Sequence, residues 1–154
     1  MKKIIYIDMD NVLVDFPSGI EKLSQGQKIQ YDGNFDEVTG IFELMQPMPG
    51  AIDSIHTLNE KYDIYVLSTA PWLNPSAWQH KIEWIQKYFG KSKDSILYKR
   101  LILSHHKNLN MGDYLIDDRT KNGADKFKGE HIHFGTEKFP NWQVVTNYLM
   151  NETK

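Results

Sequence analysis

The chain has 154 residues, of which 40% are hydrophobic and 25% are charged, a balance typical of one globular domain that buries its own core. Its formal net charge of −2 disfavours nucleic-acid polymers and anionic membranes as partners, although it is compatible with a nucleotide substrate. The sequence contains no Cys, which excludes disulfides, thiolate catalysis and Cys-based zinc sites.

The first predicted element is a strand, KKIIYI at residues 2–7, whose apolar run predicts burial on both faces. This run is too short for a signal peptide, and no later stretch predicts a transmembrane span, so we expect a cytoplasmic protein. Asp8 and Asp10 follow the strand directly. A turn needs one Asp at most, so two acids at the end of a buried strand indicate a site rather than a solvated turn.

Between residues 17 and 49 the chain is polar and rich in Gly and Pro, which predicts an insertion with short helices near 18–24 and 35–45. After the insertion, helix and strand patterns alternate. In order, they are a helix at 49–62, a strand at 63–68 and a helix at 74–90. Strands at 100–104, 113–116 and 130–134 follow, and a helix at 141–150 is the last element. In the second of these helices Asn74 is the predicted N-cap, and the predicted buried stripe is Trp78, Ile82, Ile85 and Phe89.

This alternation predicts crossover connections and therefore an α/β fold with a mostly parallel sheet. Ligands bind such sheets at the carboxyl ends of the strands. The polar side chains that follow the predicted strands at this edge are Asp8, Asp10, Ser68, Thr69, His105, His106, Lys107, Asp117, Asp118 and Thr136. Their shared position is the strongest functional signal in the sequence.

Four carboxylates would share one small cleft in this fold, those of Asp8, Asp10, Asp117 and Asp118. Two like charges about 4 Å apart repel by about 4 kcal/mol at an effective dielectric constant of about 20, so the cleft must protonate an acid or bind a cation. Oxygen ligands without Cys favour Mg²⁺ over Zn²⁺.

The same residues contain the parts needed for phosphate chemistry. A carboxylate can attack phosphorus to form an aspartyl-phosphate, and a second acid can protonate the leaving oxygen and then activate water. Magnesium and Lys107 can neutralise phosphate oxygens, and Thr69 can donate a hydrogen bond to another.

Four segments resemble, in the same order, the signature motifs of haloacid dehalogenase (HAD) superfamily phosphohydrolases: DMDNVLVDF, VLSTAP, SHHK and LIDDR. The 5'(3')-deoxyribonucleotidase branch is the closer match, because PMPGA and GDYLIDD are also similar, and the resemblance extends from Lys3 to about Gly123. It implies a Rossmann-like core with a parallel five-stranded sheet of order 5-4-1-2-3, in one domain over 1–154. A small helical cap would occupy 17–49. The sequence departs from the family in its short insertion and at Asn11, where Gly is usual, although Asn tolerates unusual backbone angles.

The resemblance implies a Mg²⁺-dependent phosphatase in which Asp8 is the nucleophile and Asp10 is the general acid/base. The Mg²⁺ ligands would be the Asp8 carboxylate, the Asp10 backbone carbonyl and Asp118. Asp117 would act as an indirect or alternative ligand.

It also implies that Thr69 binds the phosphate and that Lys107 holds the aspartyl-phosphate. The substrate would be a small molecule, a nucleoside monophosphate or a similar phosphate ester, with no nucleic-acid polymer or membrane as partner and no assigned oligomeric state. Three aromatic side chains are candidates to line a base pocket, Phe16, Phe42 and Trp72.

Two alternatives stay open. A HAD phosphatase for another small phosphate ester would share every motif. A receiver-like signalling module also uses acids, a Ser or Thr and a Lys at strand ends. In a receiver, however, the acid pair comes first and the residue that accepts the phosphate lies on a middle strand. In this chain Asp10 lies two residues after Asp8 and provides a route to rapid hydrolysis. His131 and His133 face one side of a predicted strand, where packing or surface exposure is favoured over half a metal site because no third ligand is suggested.

Overall fold

The computed structural model describes residues 1–152 of the chain. Its strands and helices, in chain order, are β1 (Ile4–Ile7), β2 (Val14–Asp15), α1 (Phe16–Glu21), α2 (Gln25–Gln30), β3 (Gln46–Pro47), α3 (Ala51–Asn59), β4 (Asp63–Ser68), α4 (Pro75–Phe89), β5 (Leu101–Leu103), β6 (Tyr114–Asp117), β7 (Glu130–His133) and α5 (Trp142–Asn151). None of these helices is long and apolar enough to cross a membrane.

One parallel sheet has the spatial order β5-β4-β1-β6-β7, which confirms the predicted α/β class with five parallel strands. The predicted order 5-4-1-2-3 counts only the strands of this sheet. The labels differ because an unpredicted ribbon of β2 and β3 adds two strands to the numbering. The central strand β1 buries both faces, since Ile5 and Ile7 belong to one core cluster and Tyr6 to another.

The insertion begins and ends at this two-stranded ribbon. Strand β2 pairs antiparallel with β3, with Val14 opposite Pro47, so the two ends of the insertion lie side by side. Helix α1 begins directly after β2, where the Asp15 side chain accepts a hydrogen bond from the Ser18 backbone N–H and Pro17 occupies the first turn.

The prediction of a helix at 35–45 is wrong. Two 3₁₀ turns, Phe35–Glu37 and Ile41–Glu43, take its place. Gly40 lies between them with a φ of +86°, a left-handed conformation through which a right-handed helix cannot continue.

Helix α4 turns a different face inward from the predicted one. Trp78 and Ile82 are 39% and 44% exposed. The buried residues of the helix are Ala77, Lys81, Trp84 and Ile85. Trp84 Nε1 donates to the Met45 carbonyl at 3.1 Å, which ties this face to the insertion. The predicted stripe is therefore wrong at Trp78 and Ile82, whereas Ile85 is buried and Phe89 packs partly buried against the core. The inward position of Lys81 was missed because apolar periodicity places a charged residue outside.

Candidate active site

The carboxyl ends of β1, β4 and β6 converge on one cleft of about 440 Å³. The sequence-predicted residues that line this cleft are Asp8, Asp10, Phe16, Thr69, Lys107 and Asp117. Asp118 joins them, because its carboxylate oxygen lies within 4.8 Å of one on Asp8 and one on Asp117. The structure therefore brings six of the predicted polar residues together at this edge, whereas Ser68, His105, His106 and Thr136 do not line the cleft.

A tight loop after β1 places the two acids of the first motif. The backbone N–H groups of Val12, Leu13 and Val14 all bond to the Met9 carbonyl, at 2.9 to 3.1 Å. Asn11 adopts a φ of +59°, a left-handed conformation that Asn tolerates better than most residues. The loop therefore turns within four residues of Asp8.

Lys107 is buried between two carboxylates. Its Nζ lies 3.0 Å from Asp8 Oδ1 and 2.5 Å from Asp117 Oδ2. Burial lowers the pKa of Lys107, but the charges of Asp8 and Asp117 outweigh burial and raise its pKa above the ordinary value. The ammonium is therefore a fixed cation at the base of the cleft.

The acidic cluster has the properties of a site for a hard divalent cation. Burial, followed by the negative charge of Asp8, raises the pKa values of Asp117 and Asp118 to about 6. Asp118 Oδ1 is buried without a hydrogen-bond partner among residues 1–152. Carboxylate oxygens are the ligands that Mg²⁺ prefers, so the three acids fit such an ion.

The two histidines of β7 lie behind this cluster and are not part of it. His131 and His133 stack at 5.1 Å, and their Nε2 atoms contact the backbone carbonyls of Asp117 and Asp118 at 3.2 and 3.0 Å. Within the described part of the chain they join no group of three metal-binding side chains. Their contacts support the backbone that carries the acids.

Asp10 has a partner that sequence reasoning missed. The fully buried Lys81 places its Nζ 3.0 and 3.1 Å from the two Asp10 carboxylate oxygens and 2.9 Å from Ser68 Oγ. Burial raises the pKa of Asp10, and the positive charge of Lys81 opposes this shift. The two acids of the loop thus have separate cations, Lys107 for Asp8 and Lys81 for Asp10.

Thr69 lies at the cleft with its hydroxyl already engaged. Its Oγ1 donates to the Ser104 carbonyl at 2.8 Å, across the ends of β4 and β5. Thr69 lines the cleft, but a phosphate contact from its hydroxyl would need that hydrogen bond to be exchanged, so phosphate binding by Thr69 stays a prediction.

The three predicted aromatic residues have different surroundings. Phe16 lines the cleft, whereas Phe42 is 2% exposed and packs edge-on against Phe16 and 4.4 Å from Lys81 Nζ. Trp72 is 79% exposed and contacts His105 outside the cleft lining. The structure therefore does not bring Phe42 or Trp72 to the cleft, because one is core of the insertion and the other faces solvent.

The remaining lining residues were not predicted, and they are Gly33, Asn34, Phe35, Asp36, Pro71, Arg119, Lys121 and Asn122. The first four form a turn of the insertion. No periodicity marks these residues in the sequence, since a polar turn looks the same whether or not it covers a site.

Acids on a tight loop after the central strand, facing a buried Lys and an acid pair on the neighbouring strand, define the class of HAD-superfamily hydrolases. The fold agrees, because it is similar to that of the HAD-hydrolase YfnB from Bacillus subtilis, with a TM-score of 0.63 and 11% identity. The match covers 96% of this chain and 98% of that one, and the YfnB structure is described as bound to magnesium.

The particular family follows from the sequence. Residues 18–147 match the family described as "5' nucleotidase, deoxy (Pyrimidine), cytosolic type C protein", and the chain belongs to it. It is 61% identical, over 99% of its length and 88% of the relative, to a protein of Vibrio phage KVP40 that is named as a 5'(3')-deoxyribonucleotidase. It is 26% identical to the human cytosolic 5'(3')-deoxyribonucleotidase, over 92% of this chain and 77% of that protein.

The predicted membership of the 5'(3')-deoxyribonucleotidase family is confirmed. The chain is therefore a phosphoric monoester hydrolase of the 5'-nucleotidase type. This sets aside the receiver-like signalling module as an alternative.

Proposed function

We propose that the protein is a Mg²⁺-dependent 5'(3')-deoxyribonucleotidase that releases phosphate from nucleoside monophosphates through an aspartyl-phosphate on Asp8. The observation that carries the proposal is the separate pairing of the two loop acids, Asp8 with Lys107 and Asp10 with Lys81. Two carboxylates with different cations and different burial can take different roles in one reaction.

In the first step the Asp8 carboxylate attacks phosphorus, and the bond between phosphorus and the sugar oxygen breaks. Asp10 donates its proton to the leaving oxygen, a role that its raised pKa supports. The carboxylate that remains is stabilised by Lys81, whose Nζ contacts both of its oxygens.

In the second step Asp10 takes a proton from a water molecule, which attacks the phosphorus of the aspartyl-phosphate. The bond to Asp8 breaks, inorganic phosphate forms, and Asp10 is protonated again. Lys107, whose Nζ lies 3.0 Å from Asp8 Oδ1, would hold this side chain in place in both steps.

Asp8, Asp117 and Asp118 would hold Mg²⁺, with the Asp10 backbone carbonyl as a further ligand implied by the family resemblance. The buried, unpartnered Asp118 Oδ1 and the raised pKa values of the acid pair support this assignment. When bound, the ion supplies positive charge that offsets the charge of the phosphate oxygens.

The size of the cleft and its aromatic rim support a nucleotide as the substrate. A cleft of about 440 Å³ lies in the range of small-molecule sites, roughly 300–1,000 Å³. Phe16 and Phe35 line it and can stack on a base, so residues 17–49 would act as a small cap within one domain. A cytoplasmic location agrees with the cytosolic type of the human relative.

The test is phosphate release from a panel of deoxynucleoside and nucleoside monophosphates, sugar phosphates and p-nitrophenyl phosphate. We expect the deoxynucleotides to give the highest kcat/KM, with turnover abolished by a chelator and restored by Mg²⁺. Asp8→Asn, which removes the attacking charge, should lose nearly all turnover and controls for a contaminating phosphatase. A sugar phosphate as the best substrate would favour the alternative of a HAD phosphatase for another ester.

A further inference from the structure

The buried cation of the cleft, Lys107, belongs to a very short element. A single 3₁₀ turn, Lys107–Leu109, carries it in the loop after β5. Such turns have poorer hydrogen-bond geometry than an α-helix and rarely extend further. Within the loop, the backbone N–H groups of Leu109 and Asn110 donate to the carbonyls of His106 and Lys107, at 3.1 and 3.2 Å. These local bonds do not use the Lys107 backbone N–H, so contacts with another segment must fix its position.

The segment that follows the acid pair supplies this contact. We call residues 119–123 the return turn, because here the chain reverses towards Lys107. The Lys107 backbone N–H donates to the Asn122 carbonyl at 2.8 Å. Asn122 and Gly123 have φ values of +53° and +81°, so two consecutive left-handed residues aim this carbonyl. Residues other than Gly and Asn adopt this conformation at a cost.

The return turn also contacts the partner of Lys107 at its other end. The Arg119 backbone N–H donates to Asp117 Oδ1 at 2.9 Å, and Asp117 Oδ2 lies 2.5 Å from Lys107 Nζ. One short segment therefore holds the Lys107 backbone with its end and the Asp117 carboxylate with its beginning.

Gly123 has a second reason to lack a side chain. A Cβ atom built on Gly123 would lie 3.0 Å from the backbone N and the Cγ of Asn108, and closer still to Asn108 Oδ1. Asn108 directly follows Lys107 in the 3₁₀ turn. A side chain at position 123 would therefore push on the turn that carries Lys107.

We propose that the return turn positions Lys107 against Asp8 and Asp117, and that Gly123 and the Asn122 carbonyl are positioning groups for phosphate transfer. This inference rests on the proposed nucleotidase function, since it concerns the cation of the same site. Gly123 acts through Lys107 rather than on the substrate. A displacement of about 1 Å at a reacting site can lower the rate by about a hundredfold, so a small shift of the ammonium is enough to be measured.

Gly123→Ala tests the proposal, with steady-state kinetics on a nucleotide and on p-nitrophenyl phosphate alongside Tm. We expect kcat to fall roughly tenfold to a hundredfold on both substrates, because Lys107 serves the phosphate that they share. Gly135→Ala is the matched control, since Gly135 has a φ of +82° but no atom within 4 Å of a built Cβ. It introduces the same backbone strain and should lower Tm with little change in kcat.

A second substitution tests the route through Asn108. The double variant Asn108→Ala/Gly123→Ala removes the Asn108 Cγ and Oδ1 atoms and so relieves the closest conflict. It should regain most of the kcat lost in Gly123→Ala. A merely structural loss of stability would not be repaired in kcat by shortening this neighbour.

Two milder variants test the Asn122 carbonyl and decide the matter if Gly123→Ala does not fold. Asn122→Gly and Asn122→Ala both remove the side-chain amide, but only Gly adopts a positive φ without cost. We expect Asn122→Gly to have a severalfold higher kcat than Asn122→Ala, because the carbonyl still points at the Lys107 N–H. A contribution from the amide itself would lower kcat equally in both.

Wild-type kcat in Gly123→Ala, no recovery in the double variant, or equal kcat in the two Asn122 variants would overturn the inference and leave the nucleotidase function standing. Wild-type protein that hydrolyses neither nucleotides nor p-nitrophenyl phosphate would instead overturn the proposed function, and the inference with it.

Discussion

Replacement of Lys81 by Met tests how the general acid/base is controlled. The substitution keeps an unbranched stem in the fully buried position beside Phe42 and removes the ammonium that lies 3.0 Å from Asp10 Oδ1. At that distance an ion pair is worth roughly 5 kcal/mol at an effective dielectric constant of about 20, before desolvation is subtracted. A carboxylate left without its partner in the interior costs about 3–5 kcal/mol.

Asp10 escapes most of this cost by staying protonated, because burial already raises its pKa and Lys81 is the main group that opposes the shift. The variant should therefore fold, but Asp10 can no longer give up its proton and take one from water. We expect kcat to fall by about 10²–10⁴-fold, the usual contribution of a general acid/base. KM should change less, since Lys81 does not line the cleft.

The assay is steady-state kinetics with a nucleotide and with p-nitrophenyl phosphate, alongside Tm. Lys87→Met is the matched control, because Lys87 is an exposed residue of the same helix. If Lys81→Met keeps more than a third of the wild-type kcat while it remains folded, Lys81 does not control Asp10.

Three further predictions concern the metal, the pH dependence of stability and the base pocket. Asp118→Ala should weaken Mg²⁺ binding measured by calorimetry and lower kcat with it, and unchanged affinity would contradict Asp118 as a ligand. Because the pKa values of Asp117 and Asp118 are raised to about 6 by burial and by Asp8, these groups bind protons more tightly in the folded chain. The free energy of unfolding of the metal-free protein should therefore fall as pH rises from about 4 to about 6, and Mg²⁺ should raise Tm more near pH 8 than near pH 5; an equal shift at both would contradict the site. Phe16→Ala should lower kcat/KM about tenfold or more for nucleotides and much less for p-nitrophenyl phosphate, whereas Phe42→Ala should lower Tm and affect both substrates equally; the reverse pattern would show that Phe42 holds the base.

The residues that sequence reasoning placed well are those whose position follows from strand ends. Asp8 and Asp117 end neighbouring parallel strands, so the sheet itself brings them together. Lys107 belongs to the loop after β5, and its place in the motif order was enough to predict that it lies at the same edge of the sheet.

The misses have a common physical origin in tertiary contacts that no local pattern encodes. Lys81 is charged, so periodicity placed it in solvent, yet Asp10 and Ser68 supply the partners that make its burial favourable. Phe42 lies in a 3₁₀ turn where a longer helix was predicted, and its packing against Phe16 within the insertion buries it. Trp72 lies in the loop between β4 and α4, where spacing indicates no buried face, and it faces solvent.

The central claim is that Asp8 becomes phosphorylated during turnover, and an acid-quenched burst experiment on Asp10→Asn tests it most directly. The p-nitrophenolate leaving group needs no proton, so this variant should complete the first step and stall before the second. We predict a burst of nitrophenolate equal to the enzyme present, with one phosphoryl group on the peptide that contains Asp8 by mass spectrometry, and neither signal in Asp8→Asn. Slow steady turnover without a burst, and with no phosphoryl group on that peptide, would contradict the account.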